Sequence, residues 1–417
     1  MLSGNHVFSI VVRIGLIIHT VLQLPGSAQV SDVAREASFY ELDDGIVAAT
    51  QKIDRDPEAV REYLRRAFYY DQKLELVAAI KDFGNAIRIS PSSVQFYLFR
   101  GELWREIGEP QLADADFDEG LRLIEEMLRT DPELHRDKLH FRAWAWYAKR
   151  NTANAIRDLD LAIEIAPESH RSMLLVTRGM VLQRQGDSVK AEADFTRSIE
   201  LDPQQAAARS ERGRLRLARG DVFDAISDFN EAIRFDPIQP SVYTSRAIAY
   251  MKLGEFEKAI VDCSAAIKVY PLYAPAYRHR GCAYLALQRV DLALIDLNKA
   301  IGLTPNYTNP GWSGSEISIY RGPRNRVYYY DFLPQLDRAS IWRMKGEWEK
   351  AIDDLKETLR MDPASSQAQN DLAWVQATCP DAKYRDGKSA IELARKACEA
   401  TKWKKDDYIV TLAAAHA

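Results

Sequence analysis

The chain has 417 residues, of which 47% are hydrophobic and 28% are charged, so it can bury a sizeable core and general disorder is excluded. Its net charge of -4 and its pI of about 6.1 argue against nucleic acid as a partner, because nucleic-acid-binding faces are normally basic. The four cysteines have no CxxC spacing, and no histidine completes a zinc-like pattern with either pair, which argues against a zinc site.

The first 28 residues form a segment of their own. Residues 7–24 are mostly apolar, and small residues up to Ala28 follow Pro25. This order is typical of a signal peptide, so we expect an exported protein, periplasmic or secreted. An uncleaved membrane anchor and a misassigned start, which would leave the protein cytoplasmic, stay open as alternatives. A leading helix is predicted for residues 32–56.

A regular repeat organises the rest of the chain. Prolines that follow an apolar-acidic stretch recur at Pro57, Pro91, Pro132, Pro167, Pro203, Pro237, Pro271, Pro305 and Pro363. The interval from Pro237 to Pro271 occurs four times, and two of the other intervals are much longer. The long intervals therefore indicate insertions within one register. A period of about 34 residues is typical of stacked helical hairpins.

Each unit has the pattern of two amphipathic helices joined by a turn. In the unit that ends at Pro271, apolar or small residues recur three or four positions apart: Tyr243, Ala247, Tyr250, Ala259, Cys263 and Ala266. This spacing predicts one buried stripe on each helix, and the proline ends the second helix because it lacks an N–H. The pattern resembles the tetratricopeptide repeat (TPR) family, bacterial type, over about residues 58–417.

The resemblance implies an all-α fold, a right-handed α-α superhelical solenoid of about nine helix-turn-helix units. On this register the chain divides into units 1–7 at 58–305, a Tyr/Gly-rich insert at 306–331, unit 8 at 332–363, a variant C-terminal unit at 364–401 and a terminal helix at 405–417. The terminal helix has no polar outer face, so it is either truncated or docked flat on the preceding unit.

The two insertions predict local elaborations. The extra residues near 121–129 lengthen one second helix by about two turns. Within the larger insert, Ile317–Tyr320 and Arg326–Tyr330 are expected to pair as a short hairpin around Gly322. Partner contact and packing on the solenoid both stay open as its role.

A repeated Arg–Asp pair is sharper than the family pattern. Eight units carry an arginine followed sixteen residues later by an aspartate: Arg66–Asp82, Arg100–Asp116, Arg142–Asp158, Arg178–Asp194, Arg212–Asp228, Arg246–Asp262, Arg280–Asp296 and Arg338–Asp354. The two positions face each other across a helical hairpin, so we expect an ion pair between its helices. A structural role is favoured over a charged ladder for ligands.

The family resemblance also implies a partner surface. First helices line the concave face of a TPR solenoid, and the usual contact positions give this chain an apolar N-terminal half and a more polar, mildly basic C-terminal half. The predicted partner-binding residues are Leu64, Phe68, Leu98, His140, Trp144, Tyr147, Val176, Met180, Arg214 and Arg278. Two alternatives stay open: Trp144 and Tyr147 are buried between units, or the leading helix covers the groove.

No enzyme motif is found, so we expect a chain with no catalytic residues, cofactor or metal. The lysine and asparagine set that grips chaperone C-termini in some TPR proteins is replaced by other residues, such as Leu64 and Phe68 in unit 1. A disulfide between Cys379 and Cys398 stays open. The predicted function is a scaffold that binds a protein or peptide partner in its concave groove. The alternatives are the non-catalytic portion of a larger enzyme and a subunit of an assembly.

Overall fold

The computed structural model describes residues 41–130, 136–303, 320–322, 326–328 and 334–417. The predicted signal peptide lies outside these ranges, as does most of the insert. The described helices are α1 Leu42–Arg55, α2 Val60–Gln72, α3 Leu76–Ile89, α4 Val94–Glu106, α5 Pro110–Thr130, α6 Arg136–Ala148, α7 Thr152–Ile165, α8 Glu168–Gln185, α9 Ser188–Leu201, α10 Ala206–Arg219, α11 Val222–Phe235, α12 Pro240–Lys252, α13 Phe256–Val269, α14 Ala274–Ala286, α15 Val290–Leu303, α16 Pro334–Met344, α17 Trp348–Met361, α18 Ser366–Thr378, α19 Gly387–Ala400 and α20 Asp406–His416. The strands are β1 Tyr320–Gly322 and β2 Arg326–Tyr328.

The described helices from α2 to α19 pair as nine antiparallel hairpins, which we number units 1 to 9. The two helices of each unit pack against each other, and the second helix of a unit packs against the first helix of the next. Helix α1 packs on α2 at one end, and α20 packs on α18 and α19 at the other. The prediction of an all-α solenoid with about nine units is confirmed.

Small residues allow the two helices of a unit to approach closely. In unit 6, Ala247 on the first helix and Ala259 and Cys263 on the second are fully buried. In unit 5, a Cβ added at Gly213 would lie 2.7 Å from the Phe229 ring, which only glycine avoids. The buried stripes predicted from the spacing of three and four therefore form the seam of each hairpin.

All eight predicted Arg–Asp pairs are confirmed, and each is bidentate. In every pair, Nε and Nη2 of the arginine donate to the two carboxylate oxygens over 2.6 to 3.0 Å. The eight aspartates are only 2 to 6% exposed. The pairs therefore fix the register of each hairpin inside the seam.

In six units the same arginine also bonds to the helix that immediately precedes the unit. Its Nη1 donates to a side-chain oxygen there: Arg66 to Thr50, Arg178 to Asp160, Arg212 to Thr196, Arg246 to Asn230, Arg280 to Ser264 and Arg338 to Asn298. One guanidinium thus joins three helices and couples neighbouring parts of the array. This third contact was not predicted from the repeat pattern.

The elaborations of the array are local. Helix α5 has 21 residues, against 14 in α3, so the second helix of unit 2 extends beyond its neighbours. Strands β1 and β2 pair antiparallel with Tyr320 opposite Tyr328 and Gly322 opposite Arg326, and residues 317–319 of the predicted first strand lie outside the described residues. Cys379 and Cys398 are both buried free thiols, so no disulfide joins them. Among the described helices, none is both long and apolar enough to span a bilayer.

Candidate partner-binding surface

The concave side of units 1 to 4 is filled by its own side chains. Seven of the predicted partner-binding residues are no more than 6% exposed: Leu64, Leu98, His140, Trp144, Tyr147, Val176 and Met180. Phe68 is partly buried against the same cluster. The expectation of an open apolar groove lined by these seven residues is therefore wrong, and their burial agrees with the alternative that kept Trp144 and Tyr147 inside.

Aromatic packing across units explains the burial. The Phe68 ring meets the rings of Phe83 and Phe99 edge-on at 5.7 and 5.6 Å, and Phe99 meets Trp144 at 5.3 Å. These four rings form a continuous line of contacts through units 1 to 3, which we call the aromatic seam. Such rings gain more from packing on each other than from exposure to water.

Cationic side chains remain accessible on the first helices of units 5 to 8. We call Arg214, Lys252, Arg278 and Arg343 the basic row. The side chains of Arg214, Arg278 and Arg343 are 22, 16 and 27% exposed, and Lys252 is exposed. Arg214 and Arg278 were predicted partner-binding residues. Arg343 was missed because the insert interrupts the period, although Arg338 marks the register beyond it.

Carboxylates orient three members of the basic row. Arg278 Nε lies 2.5 Å from Asp337 Oδ2, and Arg343 Nη1 lies 3.3 Å from Asp371 Oδ1, so each bridges two successive units. Arg214 pairs with Glu211 on its own helix. Lys252 Nζ donates to the carbonyl oxygen of Leu217 at 3.3 Å, and this acceptor is a neutral group that does not compensate its positive charge.

Burial shifts the ionisation of several groups beside the basic row. It raises the pKa of Glu211, an effect that the charge of Arg214 opposes, and it raises the pKa of Asp371 against the charge of Arg343. Burial also lowers the pKa of His279 to about 3, helped by the charge of Arg278. It raises the pKa of the Cys282 thiol. His279 and Cys282 are therefore uncharged at neutral pH, and the charge of this face lies on the basic row and its carboxylates.

Comparison with known proteins places this geometry among related folds. Sequence profiles described as tetratricopeptide repeat match residues 176–240, 240–273 and 274–307. The crystal structure of yeast Tom70 is similar over 93% of this chain and 87% of that chain, with a TM-score of 0.50 and 17% identity. A chain of the APC/C hetero-tetramer Cut9-Hcn1 is similar over 85% of this chain and 76% of its own, with a TM-score of 0.53 and 12% identity.

A third structure resembles a smaller part of the chain. The first TPR of Spaghetti (RPAP3), bound to the HSP90 peptide SRMEEVD, has 34% identity over 25% of this chain and 83% of its own, with a TM-score of 0.24. No curated protein sequence matches the chain. At these identities the two longer matches support the fold, and the residues of the surface have to be interpreted from their own chemistry.

Proposed function

We propose that this chain, which belongs to the tetratricopeptide-repeat family, is an interaction scaffold that holds an acidic segment of a protein partner against the basic row. Repeats of this family form protein-interaction scaffolds. The observation that carries the finer proposal is the succession of partly exposed cations at Arg214, Lys252, Arg278 and Arg343, one on each first helix from unit 5 to unit 8.

The chemistry of these four residues favours a carboxylate-bearing partner. Arginine binds a carboxylate through two parallel N–H donors, and lysine adds a mobile point charge. The carboxylates that already orient Arg214, Arg278 and Arg343 hold these cations in place, so a partner meets an ordered row. In contrast, the aromatic seam leaves little surface for a partner in the N-terminal half.

The spacing of the units sets the size of the segment. Packed helices lie about 8 to 10 Å apart, so four successive first helices extend over roughly 30 Å. An extended chain covers about 3.3 to 3.6 Å per residue, which corresponds to roughly nine residues. The proposal is therefore a short acidic segment in an extended conformation.

Charge reversal at Lys252 tests the proposal. Lys252→Glu removes an exposed cation bonded to a carbonyl, so the fold is expected to persist while the amount of captured partner falls at least about tenfold. The measurement is affinity capture of the full chain from its source cells, with quantitative mass spectrometry and a salt titration. Lys258→Glu, whose side chain is 62% exposed on the second helix of the same unit, is the matched control. Equal capture by both variants would contradict the proposal.

A further inference from the structure

One hydrogen bond joins parts of the solenoid that are far apart along the chain. Tyr270, the residue that follows α13, donates its hydroxyl proton to the carbonyl oxygen of Gln72 at 2.6 Å. The two residues are separated by 198 positions, and Gln72 is the last residue of α2. The loop between units 6 and 7 therefore touches unit 1.

The acceptor is a carbonyl at a helix end. The backbone N–H groups of Lys73, Leu74 and Glu75 fold back onto the carbonyls of Tyr69, Tyr70 and Asp71 at the end of α2, and the carbonyl of Gln72 accepts from Tyr270. The last four carbonyls of an α-helix have no partner in the regular ladder of helical hydrogen bonds. Tyr270 supplies it from the opposite part of the array.

Tyr270 also departs from the repeat at its own position. Four other junctions place an aspartate there, namely Asp56, Asp202, Asp236 and Asp362, and each accepts a hydrogen bond from the backbone N–H two residues later over 2.9 to 3.3 Å. A tyrosine does not make this local turn contact. At the junction after unit 6, the hydrogen bond from Tyr270 to Gln72 of unit 1 thus takes the place of the local turn hydrogen bond.

The groups around Tyr270 keep its hydroxyl protonated, so that it can donate a hydrogen bond. Burial raises the pKa of Tyr270, and the charges of Asp71 and Glu106 raise it further. The ring of Tyr273, which is 7% exposed, lies 6.4 Å from the ring of Tyr270 and braces it. Gln72 and Glu106 are the last residues of the first helices of units 1 and 2. The contact therefore joins the junction that follows unit 6 to the end of the first helix of unit 1.

We infer that the Tyr270–Gln72 contact is a latch that closes the concave surface, and that the scaffold must open it to admit a partner to the basic row. The admission of a partner rests on the proposed function, whereas the latch itself is a property of the free chain. Since removal of the hydroxyl deletes a hydrogen bond of the closed form only, it is expected to raise the ratio of open to closed molecules about 2- to 10-fold.

Distances in the free protein test the latch. Spin labels at Val77→Cys in unit 1 and Val261→Cys in unit 6 occupy side chains that are 72 and 68% exposed. Burial raises the pKa of the native Cys263 and Cys282 thiols, which slows their labelling. We expect Tyr270→Phe to increase the long-distance population about 2- to 10-fold, since it deletes only the hydrogen bond, and Tyr270→Asp to increase it more while restoring the local turn.

Tyr277→Phe is the matched control, because Tyr277 also donates its hydroxyl proton to a carbonyl, that of Pro271 at 3.1 Å, but within its own junction. A second readout is the rate at which N-ethylmaleimide modifies Cys282 on the concave side. We expect Tyr270→Asp to raise this rate several-fold and Tyr277→Phe to leave it unchanged. Unchanged distances and an unchanged rate in both Tyr270 variants would overturn the latch, whatever the capture experiments show about a partner.

Discussion

Each arginine of the Arg–Asp pairs concentrates several helix contacts in one side chain. The guanidinium of Arg246 binds Asp262 within its own unit through Nε and Nη2 and Asn230 of the preceding unit through Nη1. Asp262 is 3% exposed, whereas the side chain of Arg246 is 18% exposed. If one partner is removed, water can therefore reach the remaining arginine more easily than it can reach the remaining aspartate.

Replacing Arg246 is expected to destabilise more than replacing Asp262. Arg246→Met leaves a buried carboxylate without its cation, and we expect a loss of about 3 kcal/mol in the free energy of unfolding. Asp262→Asn keeps an oxygen acceptor and leaves the partly hydrated arginine, so we expect a loss of about 1 kcal/mol. Urea titrations followed by circular dichroism measure both. Equal losses would contradict this asymmetry.

Glu211 gives the stability of unit 5 a dependence on pH. Burial raises its pKa above the ordinary value of 4.5, so the folded state binds a proton more tightly than the unfolded state. The contribution of Glu211 is therefore greatest below pH 4.5 and is lost as the pH rises through the raised pKa. We expect Glu211→Gln to become progressively more stable relative to the wild type between pH 4.5 and neutral pH.

Urea midpoints at several pH values measure this difference. Arg214→Gln serves as the reverse test, because the charge of Arg214 lowers the pKa of Glu211 and its loss should steepen the decline. If the stabilities of the wild type and Glu211→Gln change with pH in parallel, a group other than Glu211 determines the pH dependence of stability in this range.

At the scale of elements, unit 2 lacks the described link to the preceding helix that six other units have. The residue sixteen positions before Arg100 is Gly84, and a Cβ added there would lie 3.6 Å from Arg100 Nη1 in ordinary contact. In unit 4 the link runs from Arg178 to Asp160 at 2.7 Å. A short acidic side chain at position 84 would therefore have enough space and could accept a hydrogen bond from Arg100 Nη1.

We expect Gly84→Asp to stabilise the junction of α3 with α4. Gly84→Ala is the control and should gain about 0.5 to 1 kcal/mol, because glycine is unfavourable within a helix. Gly84→Asp should exceed Gly84→Ala by about 1 kcal/mol, since a bond to a charged donor outweighs the lower helix propensity of aspartate. Thermal and urea unfolding measure both, and an aspartate no better than alanine would show that the bond does not form.

The elements were predictable where the sequence is periodic. The spacing of Tyr243, Ala247 and Tyr250 identified a helix face, and the constant offset from Arg246 to Asp262 identified a contact across the hairpin. The burial of Trp144 was not predictable, because it depends on which neighbouring aromatic ring turns toward it. The bond from Tyr270 to the end of α2 was also missed, since no period relates residues 198 positions apart.

At the scale of the whole molecule, the buried apolar core is continuous in the N-terminal half of the array and divided in the C-terminal half. Buried apolar residues from Ile53 to Leu215 form one cluster, whereas those from Leu217 onward divide into smaller clusters around single junctions. Neighbouring units stabilise each other through shared surface, so the two halves should differ in cooperativity. The N-terminal half contains the aromatic seam and should unfold as one body.

Hydrogen exchange with mass spectrometry is expected to show this difference. Amides of the described helices α12 to α19 should exchange faster than those of α2 to α9, because local opening needs less disruption where apolar clusters are small. The comparison should use helix centres, since helix ends fray in any repeat. Uniform protection along the array would contradict the division of the core.

Trp144→Ala separates a structural role from a binding role. Trp144 is fully buried, so its loss should lower the free energy of unfolding by about 3 to 5 kcal/mol. We expect any loss of captured partner to be accompanied by lost helix content and a lower melting temperature. A variant that keeps wild-type stability but fails to capture a partner would show that Trp144 contacts the partner directly.

The third bond that six of the arginines make allows units of the array to replace one another in sequence. Removal of one full period, residues 206–239, would bring Arg246 sixteen positions after Thr196, the partner that Arg212 has now. The shortened chain would therefore close the new boundary with the same donor and an acceptor already in place. Loss of this period in the gene would leave the new boundary with its third bond, so the array can shorten here without a new contact between neighbouring units.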